Sequence, residues 1–189
     1  MNQHRAILSF TIVAVLSGAT ACRRAIVPPE NNRAAQSGNG QTSLTGRVVR
    51  IADGDTLTLL DAMNVQHRIR LQGIDAPESH QAFGTQSKKK LSDLVFDKRV
   101  TAICDKADQY GRLVCKIGLD GKDINLEQVR TGMAWHYKEY EREQSPEDRE
   151  IYAHAEDEAR KMRRGLWINA NPTEPSEFRR EEKRERQAR

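Results

Sequence analysis

The sequence lacks an apolar run long enough to span a membrane, a set of histidines or cysteines at metal-binding spacing, and any internal repeat. The apolar stretch at residues 6–16 falls short of the ~20 residues a spanning helix needs. Five scattered histidines and three cysteines exclude the common zinc arrangements. Without a repeat the chain is not a solenoid. A strong charge of one sign is also missing: 31 Lys and Arg stand against 27 Asp and Glu, a net charge of +4. Removing residues 1–21 takes away only Arg5 among the charged residues and leaves +3. Such a mild positive excess suits a polyanion without demanding one. What remains is 189 residues, enough for one domain with one core, 31% charged and therefore very polar at its surface.

The N-terminus has the three parts of a secretory signal: a short positive segment ending at Arg5, the apolar stretch with Phe10, Ile12, Val13 and Val15, and the small residues Ser17-Gly18-Ala19-Thr20-Ala21 before Cys22. Two processing routes are open. Ala19-Thr20-Ala21 fits ordinary cleavage after Ala21, giving a freely secreted chain. The same residues before Cys22 resemble a bacterial lipobox, with Ala19 where Leu is usual, in which Cys22 is acylated. The lipobox is preferred because it explains an otherwise odd cysteine. Cys104 and Cys115 then remain, flanking a turn between two expected antiparallel strands. A disulfide there would stabilise the hairpin by roughly 3 kcal/mol, the alternative being two independent buried cysteines.

Residues 22–43 hold the anchor cysteine and a tether rich in Asn, Gln, Ser, Gly and Pro, spanning roughly 25 Å as a coil. The folded region is expected over residues 44–168. Val48, Val49 and Ile51 precede the Asp53-Gly54 turn, Leu57, Leu59 and Leu60 follow it, and His67 to Leu71 alternates with period two. A helix over residues 86–96 separates these three strands from two more, residues 100–104 and 113–117. Asp123 is expected to cap a second helix. Ser145-Pro146-Glu147-Asp148 opens a third that stops at Gly165. Five strands and three helices make an α+β, β-rich chain folded as an OB-type barrel. Residues 169–189 alternate Glu with Arg and Lys and read as a solvated helix or disorder without a catalytic part.

Three segments carry chemistry: Asp53-Gly54-Asp55-Thr56, Arg70 to Glu78, and Asp108-Gln109-Tyr110-Gly111-Arg112. They offer two carboxylates for a hard cation, a third for water and two arginines for a phosphate, which is the equipment for hydrolysing a phosphodiester. In order and spacing these segments, with Ile124-Asn125-Leu126 and Gly165-Leu166-Trp167, resemble the staphylococcal nuclease (thermonuclease) family over residues 44–168.

The resemblance implies Ca²⁺ held by Asp55, Asp75 and the backbone carbonyl of Ala76, with Asp53 supporting the site from behind. Ala76 stands where the family often has Thr, so a hydroxyl contact is lost. All-oxygen ligation suits Ca²⁺ or Mg²⁺, and Leu57 excludes an EF-hand. Arg70 and Arg112 would clamp the phosphate, each guanidinium contributing about 3–4 kcal/mol to the transition state. Arg68 shares a strand face with Arg70 but reads as a surface residue. Glu78 would accept a proton from water or only orient it, with His80 a weaker rival. Tyr110 would touch a phosphate while Gly111 turns Arg112 inward. Tyr140 matches an aromatic that packs on a base, with Lys138 where a second Tyr is expected. Trp135 and Tyr137 are assigned to the core. Lys88-Lys89-Lys90 reads either as a phosphate track or as an exposed helix face.

The activity implied is cleavage of DNA and RNA with little sequence preference, leaving 3′-phosphate ends, by an exported monomer held to the membrane through its lipid. The rivals are a non-catalytic OB module binding nucleic acid or another polyanion, and a structural envelope lipoprotein.

Overall fold

A computed structural model describes residues 35–36 and 41–188. The expected signal segment, Cys22 and most of the tether lie outside the described residues. Strand β1 (Thr42–Ile51) pairs antiparallel with β2 (Thr56–Asp61), and β2 with β3 (Gln66–Leu71). Helix α1 (Gly84–Val95) leads to β4 (Arg99–Ala107) and β5 (Leu113–Leu119), an antiparallel hairpin. The barrel closes because β5 pairs in parallel with β3 while β4 pairs with β1, giving the order β1–β2–β3–β5–β4–β1. This is the expected OB-type barrel of five strands. The two-residue strand Ala35–Gln36 adds to the start of β1.

Period-two patterning fills the interior. Along β4, Val100, Ala102 and Cys104 are buried while Arg99, Thr101 and Ile103 face out. Leu57, Leu59, Ile69, Leu71 and Ile117 meet them at the barrel axis, and Leu91 and Val95 of α1 pack on this core. β2 departs from alternation, with Thr56 to Leu59 all buried.

Helices α2 (Ile124–Arg130) and α3 (Pro146–Lys161) start at the expected caps. The Asp123 carboxylate accepts from the Leu126 N–H at 3.0 Å, and the Ser145 hydroxyl accepts from the Asp148 N–H at 3.0 Å. α3 ends four residues before Gly165, and the turn Gly165–Ile168 follows as a 3₁₀ segment. A second cluster forms around Trp135, Ala159, Leu166 and Trp167. The Arg160 guanidinium lies 3.8 Å from the Trp167 ring centre and 5.0 Å from that of Trp135. Trp135 is thus core, as expected.

Cys104 and Cys115 sit directly opposite each other in the β4–β5 register and are joined as a disulfide. The charged tail forms a fourth helix, α4 (Pro175–Gln187), of which only Pro175 is buried. This helix returns to the barrel, so the folded unit runs past residue 168.

Candidate active site

Three connections of the barrel and the C-terminal helix α4 bring the site together. The β1–β2 turn carries Asp53 and Asp55. The Asp53 carboxylate accepts from the Asp55 N–H at 3.0 Å and closes the turn on itself. Gly54 between them is held from behind. Its carbonyl accepts from the Gln128 side-chain amide at 2.7 Å, and a Cβ at Gly54 would fall 1.8 Å from the Ser87 hydroxyl. Only glycine lets α1 and α2 approach the turn this closely. Asp55 is therefore buried and aimed: one oxygen accepts from the Ala76 N–H at 2.7 Å, the other from the Thr56 hydroxyl at 3.0 Å.

Arg70, one residue before the end of β3, sits at the register position opposite Thr56. Its guanidinium donates to the Leu71 and Ile74 carbonyls at 2.9 and 2.8 Å, and pairs with Asp55 at 3.1 Å and Asp75 at 3.0 Å. Four contacts of this kind fix a fork that is only 13% exposed. Asp75 is itself placed by a two-strand ladder, Ile74–Asp75 against Trp135–His136, which the sequence pattern did not show. Asn125 braces the same region. Its side chain donates to the Gln72 and Cys115 carbonyls and accepts from the Ile117 N–H. Arg68, one pleat back, is exposed.

Arg112 arrives on the β4–β5 loop. Asp108 shapes that loop by accepting from the N–H groups of Tyr110 and Arg112 at 2.9 Å each, and holds the Arg112 Nε at 2.7 Å. Gly111 takes the left-handed turn at φ 73° that directs Arg112 back. Arg112 Nη1 lies 3.4 Å from the Thr56 hydroxyl. A continuous chain of contacts thus runs Arg112, Thr56, Asp55, Arg70, Asp75. Burial acts to raise the Asp108 carboxyl, but the hydrogen bonds from Arg112 and Tyr110 outweigh it and hold the group below the usual carboxylate range.

Glu78 stands at the start of a turn, its N–H donating to the Gln81 side chain at 3.1 Å. Its carboxylate is bridged to Asp75 by a residue that sequence reasoning did not assign. Arg179 of α4 donates to Glu78 at 2.8 Å and to the two Asp75 oxygens at 3.2 and 2.9 Å. His80 does not compete for this place, since its ring pairs with Glu182 at 2.7 Å. Tyr110 is exposed, with the Arg112 guanidinium 5.5 Å from its ring centre. Tyr140 is also exposed, its ring 4.9 Å from that of Tyr137. Tyr137 was expected in the core; instead it lies half-buried beside the site. Burial, then the charge of Asp75, pushes its hydroxyl up to about 12. Lys88 and Lys89 are exposed on α1 and Lys90 is partly covered.

The acids fit a hard cation. Asp55 and Asp75 are 5% and 2% exposed. Burial pushes Asp75 up to about 6, against the pull of Arg179 and Arg70. Burial and then the Asp55 charge push Asp53 up to about 7. Desolvation is the main cause of both shifts, and Arg179 is a cation spanning Asp75 and Glu78. The donors are oxygens, with no thiolate or imidazole among them. No three His, Cys, Asp or Glu side chains form a closed cage among the described residues. Asp55 and Asp75 offer oxygen donors of the kind a hard cation takes together with carbonyl, water or phosphate oxygens.

Comparison with known proteins agrees with this geometry. The family profile described as "Staphylococcal nuclease homologue" matches residues 68–169. An "Uncharacterized endonuclease" of Haemophilus influenzae is 47% identical over 139 residues, covering 74% of this chain and 75% of that protein. A "Micrococcal nuclease" of Shigella flexneri is 41% identical over 148 residues, covering 73% and 82%. A second "Uncharacterized endonuclease", from Escherichia coli O157:H7, is 39% identical over 131 residues, covering 69% and 81%. With the family profile spanning the barrel's later strands and the whole carboxylate–arginine chain present, the protein belongs to the staphylococcal nuclease family.

Proposed function

We propose that the protein is a Ca²⁺-dependent phosphodiesterase that cuts DNA and RNA with little sequence preference and leaves 3′-phosphate ends. Its family makes it a thermonuclease-like nucleic-acid hydrolase. The observation that carries the finer reading is the contact chain from Arg112 through Thr56, Asp55 and Arg70 to Asp75, with Glu78 joined to Asp75 by one guanidinium.

Asp55, Asp75 and the Ala76 carbonyl would hold Ca²⁺, and Asp53 would keep Asp55 aimed. The ion would neutralise a phosphate oxygen. Arg70, locked by two carbonyls and two acids, presents a fork that needs no reorganisation when charge gathers on the equatorial oxygens of a phosphorane. Arg112 reaches Thr56 from the β4–β5 loop, held by the part-buried Asp108 and touching the Thr56 hydroxyl. Glu78 takes the proton of the attacking water or aligns it for in-line attack. The base face is Tyr140 with Tyr137 beside it, and Tyr110 lies along the Arg112 approach. The mild positive charge of the chain favours a polyanion.

The Cys104–Cys115 bridge favours an oxidising compartment. With the N-terminal pattern it supports an exported monomer anchored through lipid on Cys22, or freely secreted after Ala21. Mass spectrometry of the mature N-terminus separates the two. Plasmid digestion tests the activity: nicking and linearisation are expected with Ca²⁺, none with chelator, and none with Glu78→Gln or Arg70→Ala. DNA left uncut in every lane but retarded on a gel would mark a binding module instead.

A further inference from the structure

The charged tail ends on the acids of the site. Arg179, 104 residues beyond Asp75 in sequence, places Nη2 2.9 Å from one Asp75 oxygen and Nη1 3.2 Å from the other, with Nη1 also 2.8 Å from Glu78. One Asp75 oxygen already accepts from Arg70 at 3.0 Å. Every oxygen of Asp75 is thus engaged by a guanidinium, and Glu78 is neutralised. In this arrangement both Asp75 oxygens and one Glu78 oxygen accept from guanidinium N–H groups, so a metal ion on Asp75 must compete with Arg179, and the engaged Glu78 oxygen holds an N–H donor instead of a water.

What docks the helix is slight. Phe178 leans on the His80 ring at 5.2 Å, Glu182 pairs with His80, and the Gln81 amide donates to the Thr173 carbonyl at 2.7 Å. Apart from Pro175, no residue of α4 is buried. The dock is made of surface ion pairs, each worth little, plus one ring and the Arg179 fork. A divalent cation that takes Asp75 removes the strongest of these contacts. An isolated helix of this length is marginal in water, so a released α4 frays.

We propose that α4 is an autoinhibitory latch: Arg179 occupies the cation position between Asp75 and Glu78, and a divalent cation must displace it to open the site. This rests on the reading of Asp55 and Asp75 as the Ca²⁺ cradle. Metal and latch exclude each other, so each weakens the other's binding by the same factor. A latch closed about nine-tenths of the time weakens apparent Ca²⁺ affinity about tenfold.

The test measures Ca²⁺ affinity by titration calorimetry, and amide exchange over residues 175–187 by mass spectrometry, on the full mature chain. Arg179→Ala removes the fork. Phe178→Ala keeps the fork and the charge but loosens the helix. Arg180→Ala, at an exposed position, is the charge control. The latch predicts about tenfold tighter Ca²⁺ binding for Arg179→Ala and Phe178→Ala, no change for Arg180→Ala, and faster exchange in α4 of the unaltered protein once Ca²⁺ is added. Tighter binding in Arg179→Ala but not in Phe178→Ala would reduce Arg179 to a repelling charge and overturn the latch. Normal Ca²⁺ binding with unchanged exchange would overturn it alone. No Ca²⁺ binding by any variant would remove the cradle reading and the latch with it.

Discussion

Gln128 of α2 donates its side-chain amide to the Gly54 carbonyl at 2.7 Å, and so a helix on one side of the barrel sets the turn that aims Asp55. The same nitrogen lies 3.2 Å from the Ser87 carbonyl of α1. Gln128→Leu keeps the volume and removes the donor, leaving the Gly54 carbonyl buried without its partner. The expected cost is about 2 kcal/mol in urea unfolding with an unchanged m-value. Nuclease turnover should fall by about tenfold or more as Asp55 shifts. Lost stability with full turnover would show that the turn holds its place without Gln128.

The two arginines should separate in their effects. Arg70 lies between two buried acids, so Arg70→Ala strands Asp55, leaves Asp75 with Arg179 alone, and costs about 3–5 kcal/mol of stability beside its catalytic loss. Calcium should recover part of that loss, because it restores charge between the acids. Arg112 forms its ion pair with Asp108 alone, and that pair is part-exposed rather than enclosed between buried acids. Arg112→Ala should leave the melting temperature within about 2 °C while turnover falls by about 10²–10³. The check is kcat beside thermal melts of both variants. Equal destabilisation by the two would contradict the division.

Stability without metal should fall as pH rises. Asp75 and Asp53 titrate near 6 and 7 in the folded chain, above the ordinary carboxylate value, because both are buried among like charges. The folded state therefore holds more protons than the unfolded one from about pH 4 to 7. Their contribution is full below the unfolded value and is lost as pH passes through 6 to 7. Urea midpoints in chelator should drop between pH 5 and 8. Asp53→Asn, whose amide oxygen can still accept from the Asp55 N–H, should flatten that slope; an unaltered slope would exclude Asp53 as its source.

Reducing the Cys104–Cys115 bridge should cost about 3 kcal/mol, or about 6–12 °C in melting temperature. The strands pair around it through six register positions, so circular dichroism below the transition should not change. Loss of sheet signal on reduction alone would show that the hairpin depends on the bond.

The barrel was legible because Val100, Ala102 and Cys104 alternate strictly and because Asp123 and Ser145 are plain helix caps. The candidate catalytic segments were legible because each clusters charge around a glycine or proline turn and because their order and spacing resemble the family's. Other parts depend on long-range contacts that no local pattern encodes. Ile74–Asp75 forms a ladder only when Trp135–His136 arrives 60 residues later. Thr56 and Asp108 look like ordinary strand and turn residues until Arg112 folds onto them. Tyr137 read as core along with Trp135, yet the 3₁₀ turn Lys138–Glu143 leaves it at the rim beside Asp75. Arg179 was hidden in a Glu- and Arg-rich tail whose composition reads as solvated. The one apolar residue in its helix, Phe178, was the available signal that this tail docks.

The most direct test of the central claim is end-group analysis of a 5′-labelled single-stranded oligonucleotide digested by the mature chain in Ca²⁺ and in chelator. Convergence of Asp55, Asp75, Glu78, Arg70 and Arg112 on one phosphorus predicts fragments ending in 3′-phosphate, formed only with Ca²⁺ and slowed by about 10² or more in Glu78→Gln. Fragments that form equally in chelator, or at an unchanged rate in Glu78→Gln, would contradict it.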